Sequence, residues 1–394
     1  MTHSRSRTVV CVVSSLLLLA CGNGTTAPDV GTLAVTPEVG LAVGVGGTMR
    51  FLATTTGASG APVFAGDATW TSADPDIATV DDRGLATGVS AGVTTVTASL
   101  GSAMADARLE VYVPDPVGAY LPGVSYFGRN DYVEYIPGEL PVILSAPHGG
   151  SLEPEEIPNR TFGVLGSDRN TAELTLAVRD ALIDLTGAAP HVVISRLRRV
   201  KLDPNREIVE AAQGDPFAEN AWNEFQSYIE GARARVGSSG EGMYFDMHGH
   251  GHPADRLELG YLLSASTLNQ PDAALNSLTI VQMTSLREIG RDSPIDFSLV
   301  LRGPTSLGGF LEAEGVPVVP SPGVPSPGTD PYFSGGYNTR RHGSRGDGEI
   351  ISGIQIEHHY PGLRDTDANR RAYADHLAVA IRSFMLAHIG RFEP

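Results

Sequence analysis

The chain has 394 residues, which is longer than one average domain and leaves room for two or three. Its 45 acidic residues outnumber its 28 Lys and Arg, and the formal net charge of -17 argues against a nucleic-acid partner, because neutralising phosphates requires a basic surface. The 46 Gly and 27 Pro favour long, shaped loops over a helical bundle.

The N-terminal segment has the features of an export signal. Two arginines precede an apolar run over residues 9–19, and the run ends in the sequence LLAC at Cys21. LLAC resembles a bacterial lipobox, which implies that residues 1–20 are a lipoprotein signal peptide and that Cys21 is lipidated. Residues 21–31 would then be a flexible tether. We therefore expect an exported, lipid-anchored protein of the bacterial cell envelope, at the outer rather than the inner membrane in a Gram-negative cell.

Residues 32–113 contain short β-rich runs separated by Gly, Asp, Pro and Ser, a pattern that predicts a small antiparallel sandwich. Residues 68–98 resemble bacterial immunoglobulin-like domains of group 2. The resemblance implies a spacer or a module that binds a cell-surface polymer. Trp70 is predicted to fill the sandwich core.

Residues 114–122 read as a linker, and from residue 123 to 394 strands alternate with helices. The runs LPVILSAPH, HVVISR, GMYFDMH and GIQIE are the strand candidates, and helices are predicted near 171–185, 218–236, 273–289 and at the C-terminus. The predicted fold is therefore multidomain: an all-β immunoglobulin-like sandwich followed by a three-layer α/β/α domain with a mostly parallel sheet.

Each strand candidate is followed by polar residues. His148 follows the first strand, a basic run over residues 196–206 the second, His248 the third and Glu357 the fourth. The carboxyl ends of parallel strands meet at one edge of a sheet, so these residues are expected to build a single site.

The stretch MYFDMHGHGH, residues 243–252, is typical of a strand that delivers a histidine to a metal. A catalytic zinc ion typically has three protein ligands, and His148 and His248 are the first two candidates. Asp168 is the preferred third, although it could instead cap the next helix. Glu153 and Glu155 are the alternatives. One zinc ion is expected in this domain.

Glu357 ends a strand in which Ile354 and Ile356 face one way and Glu357 the other. A carboxylate in this position could deprotonate a zinc-activated water molecule and return the proton to a leaving nitrogen. An ordinary ion pair is the alternative. Asp246 and His250 are expected to surround the metal ligands rather than bind the metal.

Basic residues in an acidic protein suggest recognition of a carboxylate, which a guanidinium group can bind through two parallel hydrogen bonds. One group lies in SRLRRVKLDPNR, and another lies in a Pro- and Gly-rich segment, residues 317–348, that could close over a substrate. The candidate substrate-binding residues are Arg199, Asn205, Arg206, Tyr337, Arg340 and His342.

Taken together, PHGG, DRNTAEL, KLDPNR, DMHGHGH and IQIE resemble the N-formylglutamate amidohydrolase family, from about residue 142 to the C-terminus. The layout is more distantly similar to zinc carboxypeptidases and aspartoacylases. This resemblance implies that His148 and His248 bind metal, that Asn205 and Arg206 hold substrate and that Glu357 is the base. The chain departs from the distant relatives at position 151, where Ser151 replaces the acid of their HxxE motif.

We therefore expect a lipid-anchored, zinc-dependent hydrolase that cleaves an amide bond beside a carboxylate by metal-activated water. The substrate would be an N-acyl amino acid or peptide-like molecule. Two alternatives are a cell-wall carboxypeptidase or amidase, and a non-catalytic surface protein.

Overall fold

The computed structural model describes residues 32–56, 61–114, 120–344 and 349–393. The predicted signal peptide, its tether and Cys21 lie outside these residues. In the described part of the chain, no helix is both long enough and apolar enough to cross a membrane.

The N-terminal domain is entirely β-structure. Its ten strands are β1 (Leu33–Thr36), β2 (Val39–Val43), β3 (Thr48–Arg50), β4 (Leu52–Thr56), β5 (Pro62–Phe64), β6 (Thr69–Ser72), β7 (Ala78–Val80), β8 (Leu85–Gly88), β9 (Gly92–Leu100) and β10 (Ala103–Tyr112). They form sheets ordered β1-β4-β5, β2-β10-β9-β6 and β3-β8-β7. The predicted immunoglobulin-like domain is thus confirmed.

Small residues dominate the core of this domain. Phe51 is its one fully buried aromatic side chain among the described residues, and the rest of the core is largely Ala, Val and Leu. Trp70 is only partly buried and packs against the edge of this core. Alternate residues of β9 and β10 face inward, as expected when one face of a sheet is buried.

The second domain is built on one eight-stranded sheet. Its strands are β11 (Tyr126–Phe127), β12 (Val133–Ile136), β13 (Val142–Ala146), β14 (His191–Ser195), β15 (Gly242–Gly249), β16 (Leu257–Gly260), β17 (Val318–Val319) and β18 (Ile351–His358). The sheet order is β11-β12-β14-β13-β15-β18-β16-β17. The four predicted strands, β14, β13, β15 and β18, are neighbours and run parallel, so their carboxyl ends share one edge.

Helices cover both faces of this sheet. They are α1 (Thr171–Thr186), α2 (Ile208–Ala212), α3 (Pro216–Gly237), α4 (Ala265–Leu268), α5 (Asp272–Leu275), α6 (Leu278–Met283), α7 (Arg287–Asp292), α8 (Phe297–Arg302), α9 (Leu307–Ala313), α10 (Tyr337–His342) and α11 (Asp367–His388). Apolar residues of α1, α9 and α11 share a buried cluster with Val142 and Leu144, whereas α3 packs with Ile143 on the opposite face. The three-layer arrangement with a mostly parallel sheet is as predicted.

Helix α3 shows how local signals set these boundaries. Asp215 caps it by accepting hydrogen bonds from the backbone N–H groups of Phe217 and Ala218, and Pro216 occupies its first turn. The predicted helix over 218–236 therefore begins two residues earlier.

The single helix predicted over 273–289 is wrong. The chain there forms three short helices, α5, α6 and α7, with breaks at Asn276, Ser277 and Thr284. The Thr284 hydroxyl donates to the carbonyl of Val281 and accepts from the N–H of Leu286. Such side-chain hydrogen bonds compete with the helical pattern, which explains the break.

The two domains contact each other through a buried arginine. The Arg129 guanidinium donates to both carboxylate oxygens of Glu110 in β10, at 2.6 and 2.8 Å. It also binds both oxygens of Glu156, at 2.6 and 2.9 Å. Leu41 of β2 lies in the same buried cluster as α3. The junction is therefore both apolar and charged.

Candidate metal centre

Three side chains converge at the carboxyl edge of the large sheet. Asp168 Oδ2 lies 3.2 Å from His148 Nδ1 and 3.2 Å from His248 Nδ1. His148 follows β13, His248 lies near the end of β15, and Asp168 precedes α1. The two histidine rings are 4.8 Å apart between centroids. The ligand atoms of this group could hold a metal ion.

Each of the two histidines is hydrogen-bonded to a second carboxylate through Nε2, the nitrogen that does not face Asp168. His148 Nε2 donates to Asp203 Oδ1 at 2.7 Å, and His248 Nε2 donates to Asp246 Oδ2 at 2.9 Å. These hydrogen bonds place the proton of each neutral ring on Nε2, so that the Nδ1 lone pairs face Asp168. Asp246 is itself held by the Ser145 hydroxyl at 2.6 Å. Such carboxylate–histidine pairs commonly orient metal ligands.

The distances fit a small cation. Ligand atoms on a tetrahedral zinc ion, with bonds of about 2.0–2.1 Å, lie about 3.3–3.4 Å apart. The two Nδ1–Oδ2 separations of 3.2 Å are close to that value. Without a cation, three lone pairs at this spacing would repel one another unless a ring took up a second proton. The donor set of two imidazoles and one carboxylate therefore suits a catalytic metal.

The charges in the metal-free site match this description. Burial alone would raise the pKa of Asp168, but the charge and hydrogen bond of His148, with the hydrogen bond of His248, hold that pKa well below its usual range. Burial lowers the pKa of His248, and the negative charge of Asp246 together with the hydrogen bond of Asp168 more than reverses it. Protons on His248 therefore compete with a metal ion.

Asp168, of the three acids considered as third ligand, is the one that the structure places at the site. It does not cap α1, because Asn170 holds the cap position and Asp168 instead accepts from the N–H of Gly249 at 3.1 Å. Glu153 is exposed and paired with Arg198 at 2.5 Å, and Glu155 is exposed.

Glu357 lies beside His248, its register partner on the adjacent parallel strand. Its Oε1 accepts a hydrogen bond from Gln355 Nε2 at 2.8 Å, whereas its buried Oε2 finds no hydrogen-bond partner among the described residues. Burial raises the pKa of Glu357 to about 8; the negative charges of Asp168 and Glu258 act in the same direction, and His248 opposes them. The ion pair considered as an alternative is not among its contacts in the described residues.

A cavity of about 170 Å³ opens onto this group. Its walls combine the three candidate ligands and Glu357 with both polar and apolar side chains. The remaining lining residues are Val164, Arg199, Asn205, Arg206, Gly249, Phe333, Gly335, Gly336 and Gln355.

The three substrate-binding candidates from the basic run all line the cavity, but only Arg206 is available to a ligand. Arg199 is buried and donates from Nε to Asp203 Oδ2 at 2.9 Å. Asn205 is also buried; its Oδ1 accepts from the N–H of Asn338, and its Nδ2 contacts His248 Nε2 at 3.2 Å. Arg206 is 31% exposed and faces Glu210 at 3.3 Å. Arg199 therefore holds Asp203 in place, and the amide oxygen of Asn205 is occupied by the backbone of Asn338.

The other three candidates do not line the cavity, which corrects the prediction for the 317–348 segment. His342 is fully buried and contacts Gln226 Oε1 at 2.7 Å. Tyr337 accepts a hydrogen bond from Arg341, and Arg340 is exposed. His342 and Tyr337 pack against α3, whereas Arg340 faces the solvent. The segment instead contributes Phe333, Gly335 and Gly336 to the cavity.

A second group, His250, His252 and Glu258, also has metal-ligand spacing. His250 Nε2 donates to the carbonyl of Arg256 at 2.8 Å, and His250 Nδ1 accepts from the N–H of His252 at 3.1 Å. Glu258 pairs with His252 Nδ1 at 2.7 Å. His250 was predicted to support the metal ligands, but its ring is committed to the backbone of its own loop. Asp246 does contact a candidate ligand, as described above.

The sequence placed Asp203 beyond the second strand and Gln355 on the same strand face as Glu357 but gave neither a role, and Arg364 was missed. Asp203 lies within KLDPNR, so its neighbours were a usable signal. Gln355 alternates with Glu357 on one face of β18, which was also readable. Arg364 follows no motif, and only the fold brings it to the site.

Residues 29–111 match the family described as Bacterial Ig-like domain (group 2). No curated protein sequence matches the chain. Domains 4 and 5 of the S-layer protein SbsC are 25% identical and align over 22% of this chain and 54% of their own, with a TM-score of 0.20. The chain thus spans about half the length of that structure.

Two other solved structures cover a larger share of this chain. Gene product Atu2144 from Agrobacterium tumefaciens is 13% identical and covers 66% of this chain and 96% of its own, with a TM-score of 0.39. A protein from Shewanella denitrificans OS-217, provisionally named carboxypeptidase A, is 12% identical and covers 92% and 98%, with a TM-score of 0.31.

Proposed function

We propose that the α/β domain is a zinc-dependent hydrolase that cleaves an amide bond next to a carboxylate. The observation that carries the proposal is the convergence of His148 Nδ1 and His248 Nδ1 on Asp168 Oδ2, with the unpartnered oxygen of Glu357 in the same cavity. The resemblance of five sequence motifs to N-formylglutamate amidohydrolases supports the same class of reaction.

His148, Asp168 and His248 would hold the metal. A bound zinc ion would supply Lewis acidity, which lowers the pKa of a water molecule and polarises a carbonyl group. Asp203 and Asp246 keep the two histidines in the tautomer that such binding requires.

Glu357 would act as general base and then as general acid. Its Oε2 accepts a proton from the attacking water and donates it to the leaving nitrogen. Gln355 occupies the other oxygen, so only one oxygen is left for proton transfer. A pKa raised by burial suits this role, because a base works best when its pKa lies near the operating pH.

Arg206 would bind the substrate carboxylate. It is the partly exposed guanidinium in the cavity wall. Its ion pair with Glu210 is long, at 3.3 Å, so a substrate carboxylate could bind it at a shorter distance. The cavity of about 170 Å³ suits a small acyl or amino-acid group.

The group 2 Ig-like domain is typical of bacterial surface proteins, which supports a location in the cell envelope. We further propose that the LLAC sequence directs lipidation of Cys21, and that the Ig-like domain contacts a surface polymer. Mass spectrometry of the mature N-terminus tests the first point: an unmodified Cys21 would contradict it.

The hydrolase proposal is tested on the purified full chain. We expect about one zinc ion per chain, and hydrolysis of N-acyl amino acids or short peptides that a chelator abolishes and added zinc restores. The H248A variant is the negative control. A wild-type chain that holds no stoichiometric metal would overturn the proposal and favour a non-catalytic surface protein. Turnover of peptidoglycan fragments alone would redirect it to a cell-wall peptidase.

A further inference from the structure

Arg364 is a buried arginine in the turn that follows β18, and its side chain has no role in the chemistry proposed above. It is 3% exposed. Nε donates to the carbonyls of His358 and His359 at 3.1 and 3.3 Å, and Nη2 donates to the carbonyl of His250 at 3.4 Å. Nη1 donates to the carbonyl of Arg169. In the described part of the chain, all its hydrogen-bond acceptors are backbone carbonyls.

These carbonyls belong to the three segments that carry the candidate site. Arg169 directly follows Asp168, His250 lies two residues after His248, and His358 directly follows Glu357. One rigid guanidinium therefore ties together the loops of two candidate metal ligands and of the candidate base. Its planar fork fixes the angles between its donors, whereas a lysine ammonium group could not hold all of these carbonyls at once.

Two neighbouring residues accommodate the Arg364 guanidinium and hold its turn. A Cβ added at Gly249 would lie 2.3 Å from Arg364 Cζ, so only glycine allows the guanidinium to approach the strand end. Asn170 Nδ2 donates to the carbonyl of Arg364 at 2.7 Å, which links the turn back to the start of α1.

We propose that Arg364 is a positioning residue that fixes the separation between the metal-binding side chains and Glu357. The inference rests on the proposed function. Arg364 touches neither substrate nor metal in this scheme and acts only through backbone carbonyls. Reactive groups misplaced by about 1 Å can lose on the order of 10²-fold in rate, so a loosened turn would reduce turnover without removing any reacting group.

The test compares Arg364→Lys with Arg302→Lys. Arg302 is the control because its guanidinium also binds three backbone carbonyls, those of Leu268, Gln270 and Pro325, but it does not line the site cavity; unlike Arg364 it also binds the Asp272 carboxylate. We expect R364K to lower kcat about 10²-fold with little change in KM, and to weaken zinc binding about tenfold in a titration of the chelated protein. R302K should lower Tm but leave kcat and zinc affinity unchanged.

Asn170→Gly is a milder variant in case R364K does not fold. Asn170 has φ +64°, which glycine adopts without strain, so the variant removes only the side-chain hydrogen bond to the Arg364 carbonyl. A kcat several-fold lower, at unchanged KM, is expected.

The outcomes separate the two proposals. If the wild-type chain binds zinc and turns over substrate, but R364K or N170G loses Tm alone as R302K does, then Arg364 is merely structural and this inference fails. If the wild-type chain binds no zinc, the proposed function fails first.

Discussion

Two groups of potential metal ligands lie side by side at the end of β15, and their hydrogen bonds differ. In the first group, His148 and His248 each give one nitrogen to a carboxylate and turn the other toward Asp168. In the second group, both nitrogens of His250 are taken by backbone atoms. Both groups contain two histidines and one acid, so residue type and spacing do not distinguish them.

The difference shows that the hydrogen-bond partner on one ring nitrogen of a histidine determines whether the other nitrogen can bind a metal. A carboxylate on Nε2 leaves the Nδ1 lone pair free, whereas a backbone N–H donated to Nδ1 uses that lone pair. Glu258 is bound at both oxygens, by His252 at 2.7 Å and by the N–H of Phe333 at 2.7 Å. The second group therefore anchors the cavity wall at Phe333, which stacks on His252 at 4.5 Å.

The largest expected effect comes from removing a ligand of the first group. H248A should lose the bound zinc and at least about 10³-fold in kcat/KM, since a metal supplies several kcal/mol of transition-state stabilisation and each tenfold is about 1.4 kcal/mol. H252A is the matched control in the second group, and it should keep its zinc. Metal analysis and steady-state kinetics of both variants provide the measurement. Equal metal loss in the two variants would erase the distinction between the groups.

Glu357→Gln should separate metal binding from catalysis. The substitution keeps the shape of the side chain but removes the proton acceptor, so kcat should fall about 10²–10⁴-fold while the zinc content stays at the wild-type level. Glu258→Gln, the neighbouring acid on β16, is the control and should retain most of its turnover. An E357Q enzyme with wild-type kcat would show that another group is the base.

Asp203 and Glu258 offer a sharper comparison, because each is a buried carboxylate paired with a histidine at 2.7 Å. D203N should weaken zinc binding about 10- to 100-fold, as is usual when the partner of a metal-bound histidine is changed. E258Q should not weaken it. Titration of the chelated proteins with zinc measures both affinities, and the comparison would break down if E258Q were the weaker binder.

The smallest expected effect is on the pH dependence of the metal-free protein. Burial raises the pKa of Glu357 from 4.5 to about 8, so between these values the folded chain keeps a proton that the unfolded chain releases. The free energy of unfolding should therefore fall as the pH rises through this interval, by at most about 1.4 kcal/mol per pH unit from this group. E357Q lacks this loss, and its stability relative to wild type should rise with pH.

Urea unfolding of both chelated proteins at pH 5, 6.5 and 8 measures this difference. If the difference in free energy of unfolding between wild type and E357Q is the same at all three pH values, Glu357 keeps an ordinary pKa in the folded, metal-free chain.

Much of the fold could be predicted because its signals are local. Period-two strands in the first domain and buried apolar runs followed by helices in the second gave the fold class that is observed. The single helix predicted over 273–289 was wrong, because Thr284 interrupts an apparently helical pattern through hydrogen bonds of its own side chain. The short strands β11, β12, β16 and β17 were also missed, because each has only two to four residues.

For the site, strand-end reasoning selected His148, His248 and Glu357, because parallel neighbouring strands necessarily bring their carboxyl ends together. The same reasoning wrongly predicted that Arg199 and His342 bind the substrate. Arg199 faces a carboxylate that the sequence places four residues away, and His342 is turned into the layer between α10 and α3. Charge in the sequence does not show which partner a side chain meets.

The sequence by itself thus determined which residue types stand at the ends of the central strands, since alternation along a strand and the order of elements are properties of the chain. Only the tertiary structure decided that the free lone pairs of His148 and His248 face the same carboxylate oxygen, whereas both nitrogens of His250 are used by backbone atoms. It also brought Arg364 to the carbonyls beside Asp168, His248 and Glu357. Hydrogen bonds between segments distant along the chain depend on how those segments pack, and no local pattern encodes that packing.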